Sequence, residues 1–355
     1  MKKFLIVVIV GFVAVSCEDF LEKEPLDSVA PDAFFQTEEQ TEIALNGMYD
    51  RFNNESWYRR AIWNFTILGT DLGTFRARGN AAFANFDTYT VDPANRWIEG
   101  LMAQAYLAIN AANTVINRVE RSGLSEAFIA TAIAEARFIR ALVYFDLVRV
   151  YGGVHVTIDE TITPETDPAL FSRNSAAEVY DQIVSDLTSA RDNLPDVPRT
   201  IGTPTSWAAQ ALLGKVMMQR AGTLADSDAA TLWNNAATEL QGVITNGPFD
   251  LLQDYGDIFD IQNEGSMEHV FAIKFSRQVS GGHMGFRFLG PRGRDVVPGN
   301  GFHTILVDTV FYARYAMEDQ RRLVTARQDT TINGTFIEYR DGLAINKYLD
   351  PEPLD

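Results

Sequence analysis

Cysteine occurs once in the 355 residues, at Cys17, and histidine four times. A single thiol excludes an internal disulfide, so the chain folds on an apolar core alone, and 46% hydrophobic residues give it the material for one. His155, His269, His283 and His303 stand apart, with no HExxH spacing, so neither a metal site nor a cofactor is expected. Cations are also in deficit: 30 Lys and Arg face 47 Asp and Glu, a net charge of −17. Such a surface repels nucleic acid and anionic bilayers and excludes nucleic-acid partners. The chain contains no GxSxG elbow, and the Gly-rich GGHMGFRFLGPRGR lacks both the GK[ST] of a P-loop and a strand-to-helix setting.

The N-terminus is where the lone thiol acquires meaning. Met1-Lys2-Lys3 is a short basic leader, and Phe4–Val15 is an apolar run well below the roughly 20 residues that a membrane helix requires. That pairing describes a secretory signal ending at the small Ser16. Cys17 follows at once, as a nucleophile placed to carry a diacylglycerol thioether, although Ala14 stands where a lipobox usually has Leu. Residues 1–16 thus read as a lipoprotein signal peptide, 17–36 as an extended leader after an acylated Cys17, and 37–355 as one domain.

Helical periodicity dominates that domain. A capping box, Thr37 with Gln40, opens a helix to about Phe52. Asp92-Pro93 is expected to start the next, with Trp97, Leu101, Ala105, Ala108, Ala112, Val115 and Val119 as its apolar stripe. Ser125 caps a third, which carries two apolar stripes and ends at Tyr151-Gly152-Gly153. A second capping box, Ser175 with Glu178, begins a fourth that closes before Pro195, and Thr205–Ala221 and about 228–245 supply two more. The turn of only a few residues between the second and third makes those two an antiparallel pair. The expectation is a mainly α fold, a right-handed tetratricopeptide-like stack of helical pairs with long irregular loops and a few short strands, His269–Phe275 (HVFAIKF) among them. A last helix is expected near Thr309–Met317.

Two regions lack helical periodicity, Asn53–Val91 and the part around Gly281–Gly301, and both are rich in rings and arginines. Trp57, Tyr58, Trp63, Phe75, Arg76 and Arg78 fall in the first; His283, Phe286, Arg287, Phe288, Arg292 and Arg294 fall in the second. Flat rings stack on the apolar faces of sugars, and arginine forks grip hydroxyls, carboxylates or peptide carbonyls. The candidate ligand-binding set is Trp57, Trp63, Asp71, Phe75 and Arg76, then Phe286, Arg287, Phe288 and Arg292, with Asp71 accepting from hydroxyls. Packing beneath the loops is the competing role for each ring, and a turn cap for Asp71. Trp97 and Trp207, on helical stripes, are expected to be structural. No carboxylate pair is singled out for glycosidase chemistry.

Taken together, these stretches resemble the SusD/RagB family of outer-membrane nutrient-binding lipoproteins. The most specific is EARFIRALVYFDLVRVYGGV. CEDFLEKEP and FFQTEEQTEIALNGMYDRF are similar to the family's N-terminal signature. RNSAAEVYDQIVSDLTSARDNLP, AAQALLGKVMMQRA, DYGDIFDIQNEGSMEHVFAIKFS, EDQRR and KYLDP continue in the family's order. The resemblance implies a SusD-like fold without catalysis, a lipid anchor at Cys17 on the outer face of the outer membrane, and Glu18-Asp19 as an acidic export tag. It also implies a glycan ligand handed to a SusC-like TonB-dependent transporter. Peptide or other polymer capture is the alternative, and a surface glycoside hydrolase or a purely structural scaffold the rival. Family members continue past the Lys-Tyr motif into further scaffold helices, so a stop shortly after Lys347-Tyr348 is expected to leave apolar faces uncovered.

Overall fold

The computed structural model describes residues 34–76, 80–160, 172–224, 228–275, 285–292, 301–332 and 334–347. The signal segment, Cys17 and nearly all of the expected leader lie outside these residues, as do Arg78, His283, Arg294 and Tyr348. Phe286 and Arg287 are described in backbone only.

Helix α1 (Glu38–Asp50) starts where local chemistry directs. Gln40 N–H donates to Thr37 Oγ1 at 3.2 Å, and the Gln40 side chain accepts from Thr37 N–H at 3.3 Å. Thr41, Leu45 and Met48, spaced four and three apart, form its buried stripe. Helix α4 (Arg96–Val119) buries the expected stripe from Trp97 to Val119, but it begins later than Asp92-Pro93 suggests. Asp92 closes a turn instead: its Oδ1 accepts Ala94 N–H at 2.7 Å and its carbonyl accepts Asn95 N–H at 2.8 Å. Asn95 is then the cap, accepting Trp97 N–H at 3.0 Å.

Helix α5 (Glu126–Tyr151), capped by Ser125, is buried almost all round from Ala132 to Val148, because α4 packs on one side and α6 (Ala176–Asn193) on another. It ends at Gly152, whose φ of +71° suits a residue without a Cβ. Helix α6 has its predicted capping box, with Ser175 N–H donating to Glu178 Oε2 at 2.7 Å. Helices α7 (Ser206–Thr223) and α8 (Ala229–Asn246) extend the stack, each packing on the one before. Gly214 permits that last approach, since a Cβ there would lie 2.6 Å from Leu240 Cγ.

Buried polar groups fix the register of the layers. Arg140, in mid-α5, donates Nε to Asp186 Oδ2 at 2.8 Å and Nη2 to Asp186 Oδ1 at 2.7 Å, while Nη1 reaches Asn113 Oδ1 of α4 at 2.7 Å. Asn113 Nδ2 donates onward to the carbonyls of Thr157 and Asp159. Three helices are thereby pinned through one guanidinium, each of whose three nitrogens donates to a buried acceptor. Glu135 does the same for α1, accepting Tyr49 OH at 2.9 Å and Arg199 Nη2 at 3.0 Å.

Outside the stack the elements are short: α2 (Ile62–Thr66), β1 (Gly73–Phe75), α3 (Ala81–Asp87), α9 (Gly285–Leu289), β2 (Ile305–Val307), α10 (Thr309–Ala313) and α11 (Arg321–Thr325). Strand β3 (Ala326–Arg327) pairs with β6 (Ala344–Ile345), and β4 (Asp329–Ile332) with β5 (Thr335–Glu338). The region 53–91 is therefore less irregular than its sequence suggests. The reverse holds for HVFAIKF, which among the described residues forms no ladder. Its Val270, Phe271 and Ile273 pack on the helix stack, Phe271 edge-on to Phe138 at 4.8 Å.

Candidate functional site

The two ring-rich regions, far apart in sequence, meet in one place. Strand β1 pairs antiparallel with β2, Thr74 opposite Leu306, and a second apolar cluster forms behind them from Trp63, Phe75, Phe83, Phe86, Trp97, Phe288 and their neighbours. Phe75 stacks on Phe83 at 4.9 Å and 16°. The Arg60 guanidinium sits among three rings, 4.0 Å from Phe288, 5.1 Å from Trp97 and 5.5 Å from Phe83. Arg76 straps the edge: Nε donates to His303 O at 2.8 Å, Nη2 to Phe302 O at 3.1 Å, and Nη1 lies 4.0 Å from Asp341 Oδ2.

This convergence assigns most of the candidate rings to packing. Trp57 is fully buried against Phe52 at 4.7 Å, and its Nε1–H donates to Asp146 Oδ2 at 3.1 Å. Burial pushes the Asp146 carboxyl above its ordinary range, with Arg149, Tyr58 and Trp57 pulling it back. Trp63, Phe75 and Phe288 are buried in the second cluster and offer no open ring face. Asp71 is open to solvent, 78% exposed, with Arg314 at 4.0 Å, and Arg292 is exposed as well. Beside them the face presents Leu72, Phe302 and Tyr89, the last 80% exposed. Sequence reasoning did not single out Tyr89, because nothing in its neighbours marks a ring that the backbone turns outward.

His303 is the buried hub of the strap. Its backbone lies in the left-handed region at φ 46°, and its Nε2 is 3.0 Å from Leu343 O, so Nε2 carries the proton. Nδ1 is buried and has no partner among the described residues. Desolvation holds the imidazole pKa below its ordinary value, with Arg76 adding to the effect and Leu343 O and Asp341 opposing it.

A profile of the SusD-like family, described as starch-binding and associating with the outer membrane, matches residues 19–218. A SusD-like protein of Formosa agariphila is 29% identical across 98% of this chain and 70% of its own length. A SusD-like protein of Bacteroides ovatus is 29% identical across 77% of this chain and 50% of its own. The crystal structure of a SusD homologue from Bacteroides thetaiotaomicron overlays with a TM-score of 0.76 at 24% identity, covering 87% of this chain and 61% of that one. A structure solved with a xylogluco-oligosaccharide overlays at 0.71 with 25% identity, covering 87% and 64%. The chain therefore spans between half and seven tenths of the length of these relatives. A helical stack whose distant loops close on one face, matched by the family's own profile over more than half its residues, settles the kinship: the chain belongs to the SusD-like family.

Proposed function

We propose that this protein captures a glycan non-covalently at the outer membrane and passes it to a SusC-like TonB-dependent transporter, anchored through a lipid on Cys17. The observation that carries the reading is the related structure that holds a xylogluco-oligosaccharide and superposes over 87% of this chain. The face built from β1, β2 and α9 is the natural place for contact. Asp71 there, exposed and 4.0 Å from Arg314, can accept hydrogen bonds from sugar hydroxyls, the exposed Arg292 can donate them, and Phe302 adds apolar surface. Peptide capture is less well served, because the Arg76 fork is already engaged by two carbonyls and faces Asp341.

Affinity electrophoresis of the mature protein through gels containing plant or algal polysaccharides tests the first part. Retardation in at least one gel, with no new reducing ends after prolonged incubation, is expected. Release of reducing ends would replace binding by hydrolysis. Cys17→Ala tests the anchor: the protein is expected to move from the outer-membrane fraction to the soluble one and to lose labelling by a fatty-acid probe.

A further inference from the structure

Among the described residues His303 is the one buried histidine, and separate parts of the fold meet on it. Its backbone N–H donates to Gly290 O, just past α9, at 3.2 Å, and its carbonyl receives Arg76 Nε from the end of β1 at 2.8 Å. Its Nε2–H reaches Leu343 O, next to β6, at 3.0 Å. Thr304 reinforces the junction: its N–H donates to Phe288 O at 2.7 Å and its carbonyl accepts Arg76 N–H at 2.9 Å. The left-handed backbone at His303, φ 46°, is uncommon for a residue with a Cβ and is held by these contacts. One imidazole thus ties the ring-bearing face to the C-terminal strands.

The other side of the ring is unsatisfied. Nδ1 is buried and bonds to nothing among the described residues, and so is Asp341 Oδ2, in a turn that Gly342 N–H closes on Tyr339 O at 3.3 Å. Two acceptors are thereby buried at one junction with no proton for either. The charges that bear on the ring are Asp341, which favours an imidazolium, and Arg76 of the β1 edge, which opposes it. Past α9 and next to β6 the contacts are carbonyls, Gly290 O and Leu343 O. Arg76 cannot retreat from a charged ring without giving up the His303 and Phe302 carbonyls. Desolvation tips the balance, so the closed junction holds the imidazole neutral, with a pKa below its ordinary 6.5. Once the junction opens, water reaches the ring and the ordinary value returns, so a proton binds the open form better than the closed one.

We infer that His303 is an acid-released latch: a solvent proton taken up at Nδ1 undoes the Arg76 strap and opens the β1–β2–α9 face while the helical stack stays folded. Above about pH 6.5 the imidazole is neutral in both forms and the latch holds in full. Below it, every proton that the open ring accepts and the closed ring refuses shifts the balance towards opening. Raising the pH removes the proton and lets the strap close again. The device does not depend on what the face binds, so it stands or falls separately from glycan capture.

Hydrogen exchange of the full chain at about pH 7.5, 6.5 and 5.5, corrected for the chemical rate at each pH, tests it. Protection of the Arg76 and Thr304 amides is expected to fall severalfold across that range, with about tenfold as the ceiling for one proton. Arg140 and Val143, in the stack, are expected to keep theirs. His303→Asn has no proton to take up and is expected to abolish the dependence, while Asp341→Asn is expected to steepen it, because the anion that favours an imidazolium is gone. Equal losses in stack and face would mean global unfolding and overturn the latch. Dependence that survives His303→Asn, or that Asp341→Asn flattens, would assign the proton to another group and overturn it as well. The titration of the His303 ring in the parent, followed by nuclear magnetic resonance, decides where a variant fails to fold: a midpoint below 6.5 supports the latch, and one at or above 6.5 overturns it.

Discussion

The Nε of Arg76 donates to the carbonyl oxygen of His303 at 2.8 Å, a contact between residues 227 positions apart. With Nη2 on Phe302 O, it closes the face that β1 and β2 begin. Arg76→Met keeps the stem and removes the fork, so two charge-assisted bonds are lost, at a cost of about 1.5–3 kcal/mol each at most. The melting temperature is expected to fall and glycan affinity with it, while the far-ultraviolet dichroism of the helix stack is unchanged. Arg76→Lys is expected to recover only part of the loss, since an ammonium cannot reach two carbonyls in one plane.

Acid should loosen the same strap. The folded-state pKa of His303 lies below its ordinary 6.5, so the unfolded chain binds more protons in the window between the two values. Stability is therefore expected to fall as pH drops from about 6.5 towards the lowered value, and His303 adds nothing further above about 6.5. His303→Asn, which tolerates a left-handed backbone and can still donate to Leu343 O, is expected to flatten that part of the profile. Melting temperatures of both proteins between pH 5 and pH 8, read as about half-unit steps, check it.

Trp57 offers a test of packing against recognition. Trp57→Phe retains contact with Phe52 but leaves Asp146 without its indole donor, with an expected cost of about 1–3 kcal/mol by chemical denaturation. Glycan affinity is expected to stay at the parent level. A tenfold loss with stability intact would return Trp57 to the ligand.

Within the stack, Asp186→Asn leaves the Arg140 guanidinium buried without its counter-charge and is expected to destabilise by about 3–5 kcal/mol. The double variant Arg140→Met, Asp186→Leu is expected to recover much of that loss, because an apolar pair avoids the desolvation of two ions. Urea denaturation of the parent, the single variant and the double variant measures both steps.

The helices were readable because their signals are local. Thr37 and Gln40, or Ser175 and Glu178, stand three positions apart and announce a start wherever the chain lies in space. Asp92-Pro93 misleads for the same reason: its side chain serves a turn, and the cap follows at Asn95. The candidate site was legible only as two regions. Trp63 and Phe288 contribute to one cluster across more than half the chain, and no period in an irregular stretch tells a ring facing inward from one facing solvent. Tyr89 depends on a backbone angle that the residue type disfavours, so its exposure had no sequence signal.

The pairing of Gly73 with Val307 also dictates an order of assembly. Helices α4 and α5, like α7 and α8, find each other over short loops, whereas β1 must wait for a partner delivered from the far end of the described chain, at the entropic cost of closing a very large loop. The helical hairpins are expected to form first and the ring-bearing face last. By the same logic that face is the first to reopen in the native state: in hydrogen-exchange measurements the amides of Phe75 and Arg76 are expected to exchange well before those of Arg140 and Val143. The contact surface proposed for this protein thus lies on the part of the fold that rearranges most readily, with a slow-exchanging helical frame beneath it.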